Sequence, residues 1–540
     1  MKRKEYLLLL LVIVIGVFFR FNLIKEVPLG LYPDEAMNGN NALEALSTGP
    51  LAGGFKMFYP ENNGREGLFI NIQAISVRIF GDQPWALRGV SALFGVLTIW
   101  GLYLVTRELL NKFGKKGHWI ALLSSFFLAT SYWHINFSRI GFRAIMVPFA
   151  AVFALYFLLE GFRTGRTLSL ILAGVFMGVG LNTYIAFRFV PFVMAVPILF
   201  YFLPRWKEHQ TRKAVIIFLL ATFIVSLPIG LYFLKNPADF LGRGGQVSVF
   251  AASSPALEFV KTNVVTLGMF FVYGDCNWRH NYNCQPELNP LVTVFFAIGL
   301  WLALKNIFKP KLLERQTSAL LLAWMFFMSL PATLTREGLP HALRSIGMIP
   351  PTMILAGLGA WYILNMVFRR LEWSKDKYEN YGRQIERIKK EVMVLFCLVL
   401  LAIPVMTYRD YFRRWAHNPA TYYEFNTNLL HIGQYLNNLP PDTKKYVVVN
   451  RDSGVKVYGL PVPAQTVMYA TNTFVDAERE KKNFVYLLPD QIDRISIEPG
   501  RRTVVSFLKV EDLEFIKSVQ KKYPELRVSV PSDFVVLQDF

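Results

Sequence analysis

The chain has 540 residues, 53% of them apolar, and carries 58 Lys and Arg against 38 Asp and Glu, a formal net charge of +20. A mean hydropathy of +0.33 with only 18% charged residues excludes a string of soluble globular domains, whose surfaces need more charge. The positive excess is therefore read as membrane topology and not as a nucleic-acid surface, and three cysteines exclude a disulfide scaffold or a four-ligand zinc site.

In chain order, the basic Met1 to Lys4 precedes YLLLLLVIVIGVFF. No small-residue cleavage site follows, so this stretch is expected to be an uncleaved first span with a cytoplasmic N-terminus. Counting it at residues 6–24, stretches long enough to cross ~30 Å of hydrocarbon recur near 84–106, 119–136, 144–162, 168–183 and 187–204. Five more fall near 214–234, 290–308, 317–334, 345–368 and 391–408, which makes eleven. With that count the inner loops hold Lys112, Lys115, Lys116, Arg163, Arg166, Arg205, Lys207, Arg212, Lys213, Lys305, Lys309, Lys311, Arg315 and the basic run from Arg369 to Lys390, as positive-inside bias requires. The expected organisation is a multi-pass protein of the inner (plasma) membrane, with a membrane domain over 1–408 and an extracytoplasmic α/β domain over 409–540.

Three segments lie outside in this arrangement. Residues 25–83 contain GLYPDEAMNGNNALEALSTG and EGLFINIQAISVRIFG, both expected as helices along the membrane interface. Residues 235–289 contain a helical stretch from Ala256 to Phe271 and the polar string YGDCNWRHNYNCQPELNP. Residues 409–540 alternate helical stretches with β-type runs: YVVVN, TVMYAT, FVYLL, RTVVSFL and FVVLQDF.

Asp34 and Glu35 follow Pro33 at the head of the first of these helices. Asp34 fits a helix N-cap; it also shares a helical face with Asn38 and Asn41, a polar stripe suited to a sugar. Successive helical residues diverge by about 100°, so Asp34 and Glu35 are expected to have different roles. Arginines on the outer side are the second signal: Arg78, Arg88, Arg139, Arg143, Arg188, Arg336 and Arg344. Any one of them could snorkel to the interface, but several converging guanidinium groups make a phosphate site. In the second outer segment Asp275, Asn277, Arg279, His280 and Asn281 cluster in seven residues. They read as loop-fixing groups or as sugar or acceptor contacts, and one His with one Asp gives no metal-ligand spacing. Cys276 and Cys284 form a possible disulfide in an oxidising compartment, Cys397 in its apolar run reads as core filler, and His341 is either structural or placed to orient or protonate a phosphate oxygen.

An outward carboxylate, outward arginines and an apolar body imply a reaction at the outer face on a lipid carrying a phosphate. PDEA in the first outer loop, the interfacial helix and ALRGVSALFGVLTIWGLYLVTREL resemble the GT-C glycosyltransferases, in particular the dolichyl-phosphate-mannose protein mannosyltransferases and the lipid A aminoarabinose transferase. SRIGFRAIMVPF, GDCNWRHNYNCQPELNPL and PHALRSIGMIPP resemble further segments of that group, so the resemblance covers about residues 1–408. It implies a polytopic hexosyltransferase that moves a sugar from a polyprenyl-phosphate donor to a protein, lipid or glycan acceptor. The family's first-loop acid falls on Asp34, with Glu35 beside it, and a divalent cation, if used, falls to one of these two. Arg139, Arg143, Arg279, Arg344 and His341 are then the donor-phosphate candidates; Asn38, Asn41, Arg65, Glu66, Asp275, His280 and Asn281 are the sugar or acceptor candidates. Where relatives often carry a His-Pro-Pro type string, this chain has NGREGLF with Arg65 and Glu66. No WWD-type string is present, which argues against transfer of a whole oligosaccharide. A transporter would carry charges midway along its spans, and here the spans are nearly free of them; a non-catalytic scaffold would show no dependence on Asp34.

Overall fold

Apolar runs without internal charge become helices in a membrane, because every backbone N–H must find its acceptor within the segment. The computed structural model describes residues 3–47, 54–241, 248–309, 311–378 and 381–540. Among them seven helices are long and apolar enough to cross a membrane: Pro84–Leu109, Arg143–Thr164, Ile185–Arg205, His209–Lys235, Pro290–Ile307, Ile346–Lys377 and Gly382–Trp415. The chain is a polytopic, mostly helical membrane protein. The four remaining expected spans are also helical, over Arg3–Phe21, Lys115–Ala129, Thr167–Leu181 and Leu312–Thr333. Two of these, Lys115–Ala129 and Thr167–Leu181, have 15 residues, about 22 Å at 1.5 Å per residue, and are shorter than a perpendicular crossing needs.

The residues group into two units. One comprises Met1–Asn22, Ser91–Arg139 and Arg143–Trp415; the other comprises Leu23–Val90, Ile140–Phe142 and Ala416–Phe540. Residues 25–83 thus group with the C-terminal residues, a different partition from the expected boundary at 408.

Within the first unit, helices approach closely where glycine removes a side chain, as expected in lipid. A Cβ on Gly299 would meet the Leu355 carbonyl oxygen at 1.8 Å, and one on Gly359 would meet that of Phe295 at 1.9 Å, so Pro290–Ile307 and Ile349–Lys377 touch backbone to backbone. Helix Pro255–Gly268 occupies the helical stretch expected from Ala256. Cys397, expected as core filler in its apolar run, is exposed.

The second unit holds a five-stranded sheet in the spatial order Phe484–Leu487, Lys444–Val448, Thr503–Phe507, Val536–Gln538, Arg527–Ser529. The first three strands are parallel and the last two antiparallel to their neighbours. Every residue of Thr503–Phe507 is buried, Thr503 and Ser506 included, as in a strand covered on both faces. Val447, Val504 and Val536 pack on Leu429, Ile432 and Val467 on one face, while Val448, Val505 and Leu537 pack on Ile516 and Val519 on the other. TVMYAT is not a strand: it lies in the helix Ala464–Thr471, where packing overrides β-propensity. Gly433 lets that helix approach, since a Cβ there would meet Ala470 Cβ at 2.5 Å. The edge strand Arg527–Ser529 carries no apolar run in the sequence.

In the same unit, helices Pro33–Leu46 and Gly67–Phe80 occupy the two stretches expected along the interface; Thr48 and Gly49 at the end of the first stretch lie outside the described residues. Between them Phe58–Tyr59 pairs with Arg65–Glu66 in a short antiparallel hairpin. Its turn places Asn62, Asn63 and Gly64 at positive φ, a region that asparagine and glycine tolerate.

Candidate active site

Helix Pro33–Leu46 is buried on most sides although it is rich in polar residues. Gly39 admits Tyr469, whose Cε2 would lie 2.4 Å from an added Cβ. Asn40 Nδ2 donates to the carbonyl oxygen and to Oε1 of Gln465 at 3.1 and 2.9 Å, and Thr466 Oγ1 donates to the Leu31 carbonyl at 3.0 Å.

The adjacent acids diverge as helical geometry requires. Glu35 is fully buried. Its Oε2 accepts from Arg88 Nε at 3.0 Å and from the Gly141 N–H at 2.8 Å, and its Oε1 accepts from Arg88 Nη2 at 3.3 Å. Arg88, also buried, donates further to the carbonyls of Pro28 and Gly30 at 2.6 and 2.5 Å. Both carboxylate oxygens of Glu35 are thus taken up in holding Arg88 and the Gly141 peptide. Asp34 is half-buried, accepts at Oδ1 from Asn62 Nδ2 at 2.7 Å, and makes no side-chain cap; Tyr32 occupies the N-cap position.

Asn38 and Asn41 form no open polar stripe. Both are buried, and Arg65 spans them, donating from Nη1 to Asn38 Oδ1 at 2.6 Å and from Nη2 to Asn41 Oδ1. Asn38 Nδ2 donates to the Gly141 carbonyl at 2.9 Å and Asn41 Nδ2 to Glu44 at 3.2 Å. Glu66 is buried in the hairpin strand. Gly141 thus serves helix Pro33–Leu46 with both halves of its backbone.

A second polar cluster lies in the first unit, where residues 269–289 form a loop braced by its own hydrogen bonds. The Gly274 N–H donates to the Cys284 carbonyl at 3.0 Å, and Cys276 is bonded to Cys284. Asn136 Nδ2 donates to the carbonyls of Arg279 and His280, and Trp415 Nε1 to that of Trp278. Asp275 organises the interior of this loop. Its Oδ1 accepts from the Asn277 N–H at 2.8 Å, and its Oδ2 accepts from His280 Nδ1 at 2.8 Å and the Ala342 N–H at 2.8 Å. Its own N–H donates to Glu287 Oε1 at 2.9 Å. Burial pushes the Glu287 carboxyl well above the usual carboxylate range. Burial also lowers His280 against the opposing pull of Asp275, and it lowers His341 well below the usual imidazole value, with His280 next as a cause. Asn281 is buried and donates to the Gln285 carbonyl at 2.6 Å.

The arginines occupy different environments. Arg139 is fully buried, donates to the carbonyls of Phe19 and Arg20 at 3.1 and 2.9 Å and lies over the Tyr411 and Phe412 rings. It caps the C-terminal end of helix Arg3–Phe21. Arg143 is half-buried over Tyr184, 5.3 Å from its ring centre. Arg344 Nη1 donates to Thr335 Oγ1 at 2.6 Å and to the Glu337 carbonyl at 3.2 Å, and Arg279 Nε donates to Asn277 Oδ1 at 3.1 Å. Arg78 and Arg336 are exposed. The sequence could not disclose two pairings: Arg88 with Glu35, 53 positions apart, and His341 with Asp275, whose Nδ1 and Oδ2 lie 3.9 Å apart.

Residues 68–232 match the family model of dolichyl-phosphate-mannose-protein mannosyltransferase. No curated protein sequence matches. ArnT from Cupriavidus metallidurans, solved with undecaprenyl phosphate bound, is similar in fold at a TM-score of 0.57 and 14% identity, covering 100% of this chain and 99% of that one. The archaeal oligosaccharyltransferase AglB from Archaeoglobus fulgidus, in complex with an inhibitory peptide and a dolichol-phosphate, is similar at a TM-score of 0.53 and 14% identity, covering 100% of this chain and 74% of that one. Residues 68–232 are thus similar to the mannosyltransferase family, and the chain as a whole shares its fold with ArnT and AglB.

Proposed function

We propose that the protein transfers a sugar from a polyprenyl-phosphate-linked donor to an acceptor at the outer face of the membrane, with Asp34 as the general base. The observation that carries this assignment is the contrast between the neighbouring acids. Glu35 has both carboxylate oxygens engaged and no solvent access, whereas Asp34 is held by Asn62 alone among the described residues and keeps an oxygen for an acceptor hydroxyl. A carboxylate of ordinary basicity does not deprotonate an alcohol in advance; it takes the proton as the new bond to the anomeric carbon forms. The lipid-phosphate complexes of the fold relatives support a polyprenyl-phosphate donor. The leaving phosphate gathers negative charge, for which preorganised guanidinium groups are suited; Arg143, Arg279 and Arg344 are assigned that role, and Arg139 is not. Glu35 acts as a positioning residue through Arg88. The outer location of the reaction rests on the Lys and Arg bias of the short inner loops.

The test incubates purified full-length protein with polyprenyl-phosphate hexoses and measures released polyprenyl phosphate. Loss of a general base lowers the rate by about 10²–10⁴-fold, so Asp34→Asn is expected to fall in that range. Wild-type release that Asp34→Asn leaves unchanged sinks the base assignment, and no release from any such donor sinks the proposed reaction.

A further inference from the structure

Two loops of the first unit bring His341, distant in the sequence, beside the neighbouring pair Asp275 and His280. Ligand atoms of Asp275, His280 and His341 all lie within 4.8 Å of one another. Asp275 Oδ2 is 2.8 Å from His280 Nδ1 and 3.9 Å from His341 Nδ1. Around a tetrahedral zinc, ligands at about 2.0–2.1 Å lie roughly 3.3 Å from each other, a spacing that the two observed distances bracket. The two imidazoles face each other with ring centres 5.0 Å apart. Among the described residues this is the one group of three such side chains that converges.

The surroundings favour an ion over a mere loop staple. Asp275 is fixed from behind by three backbone hydrogen bonds, two accepted from Asn277 and Ala342 and one donated to Glu287, so its carboxylate is oriented before any ligand arrives. The His341 Nδ1 lone pair receives only a long contact, 3.4 Å, from the Arg344 N–H. Two imidazoles and one carboxylate suit zinc or cobalt better than magnesium or calcium, which take oxygen ligands. Three protein ligands leave a coordination position open.

We propose that Asp275, His280 and His341 form a three-ligand site for a transition-metal dication of the zinc type, with the fourth position taken by water or an anionic oxygen. The proposal does not rest on the sugar-transfer assignment, and its test uses no activity. Full-length protein in detergent is stripped with chelator, reloaded with Zn²⁺ or Co²⁺ at micromolar free metal, and measured for metal content and visible cobalt absorption. About one equivalent per chain is expected, with the visible bands of low-coordinate cobalt. His341→Gln and Asp275→Asn are each expected to hold less than about a tenth of that, and Cys397→Ser, which alters an exposed thiol elsewhere, is expected to match wild type. His341 is the least buried of the three, so His341→Gln in chelator is expected to melt with wild-type protein in chelator, while zinc raises the midpoint of wild type alone. Wild-type protein that retains no metal, or a His341→Gln variant that still binds a full equivalent, overturns the site and leaves Asp275 as a hydrogen-bonded staple between two loops.

Discussion

Replacing Glu35 by Gln keeps the shape of the side chain and removes its charge, leaving the Arg88 guanidinium buried without a counter-ion. Arg88 would retain its bonds to the Pro28 and Gly30 carbonyls, and neither carries a full charge. Breaking one side of a buried ion pair costs about 3–5 kcal/mol. At about 2–4 °C per kcal/mol for a unit of 150–250 residues, the apparent melting midpoint should fall by roughly 6–20 °C. Membrane proteins often unfold irreversibly, so midpoints are compared by circular dichroism at one detergent concentration and one scan rate. The double variant Glu35→Leu/Arg88→Leu removes both charges and should be less destabilised than the sum of its two single variants by about 2 kcal/mol or more. Recovery stays incomplete because two carbonyls lose their donor. Asp34→Asn, one residue away and half-exposed, should melt within about 1 °C of wild type. A Glu35→Gln midpoint equal to that of wild type, or strict additivity in the double variant, would refute the argument that this pair holds the start of helix Pro33–Leu46 in place.

Gly141→Ala would place a Cβ 3.1 Å from Gln73 Nε2 and 3.3 Å from Glu35 Oε2; both neighbours are buried, so a loss of about 1–3 kcal/mol is expected in the same melting assay. Arg65→Lys replaces a fork that reaches two asparagine oxygens by a single ammonium. It should cost about 1–3 kcal/mol, and a silent substitution would show that the two asparagines are not held by Arg65. The Cys276–Cys284 bond closes a loop of sequence separation 8 and should contribute roughly 2–3 kcal/mol. Non-reducing peptide mapping should recover that pair, with Cys397 free, and dithiothreitol should lower the midpoint of wild type but not of Cys276→Ser/Cys284→Ser.

What the sequence disclosed follows from the range of the forces involved. Membrane helices are written in local hydropathy, and seven of the expected spans meet the length that lipid demands; the parallel strands at 444–448 and 503–507 appear as short runs rich in β-branched and aromatic residues. The helices at 115–129 and 167–181 are shorter than a perpendicular crossing needs, and many of their residues pack inside the protein. TVMYAT misleads because its β-branched residues satisfy a buried helix as well as a strand. The divergence of Asp34 and Glu35 is legible from the helical turn alone, but the partner of Glu35 is not, since nothing near position 35 points to Arg88 or to the peptide of Gly141. Asp275 and His280 stand five residues apart and are visible as a pair, whereas His341 reaches them only through the tertiary arrangement of two loops.

Helix Pro33–Leu46 has a consequence for how this protein tolerates change. Two of its three asparagine amides donate to fixed acceptors outside the helix: Asn38 to the Gly141 carbonyl and Asn40 to Gln465. An oily helix can slide by a residue and still find greasy neighbours, but a helix seated by directional bonds fits in one register only. A single inserted or deleted residue between positions 33 and 46 would rotate the remaining amides away from their acceptors by about 100°. Natural length variation in this region should therefore collect beyond Leu46, on the way to the hairpin, and leave the helix itself constant in length.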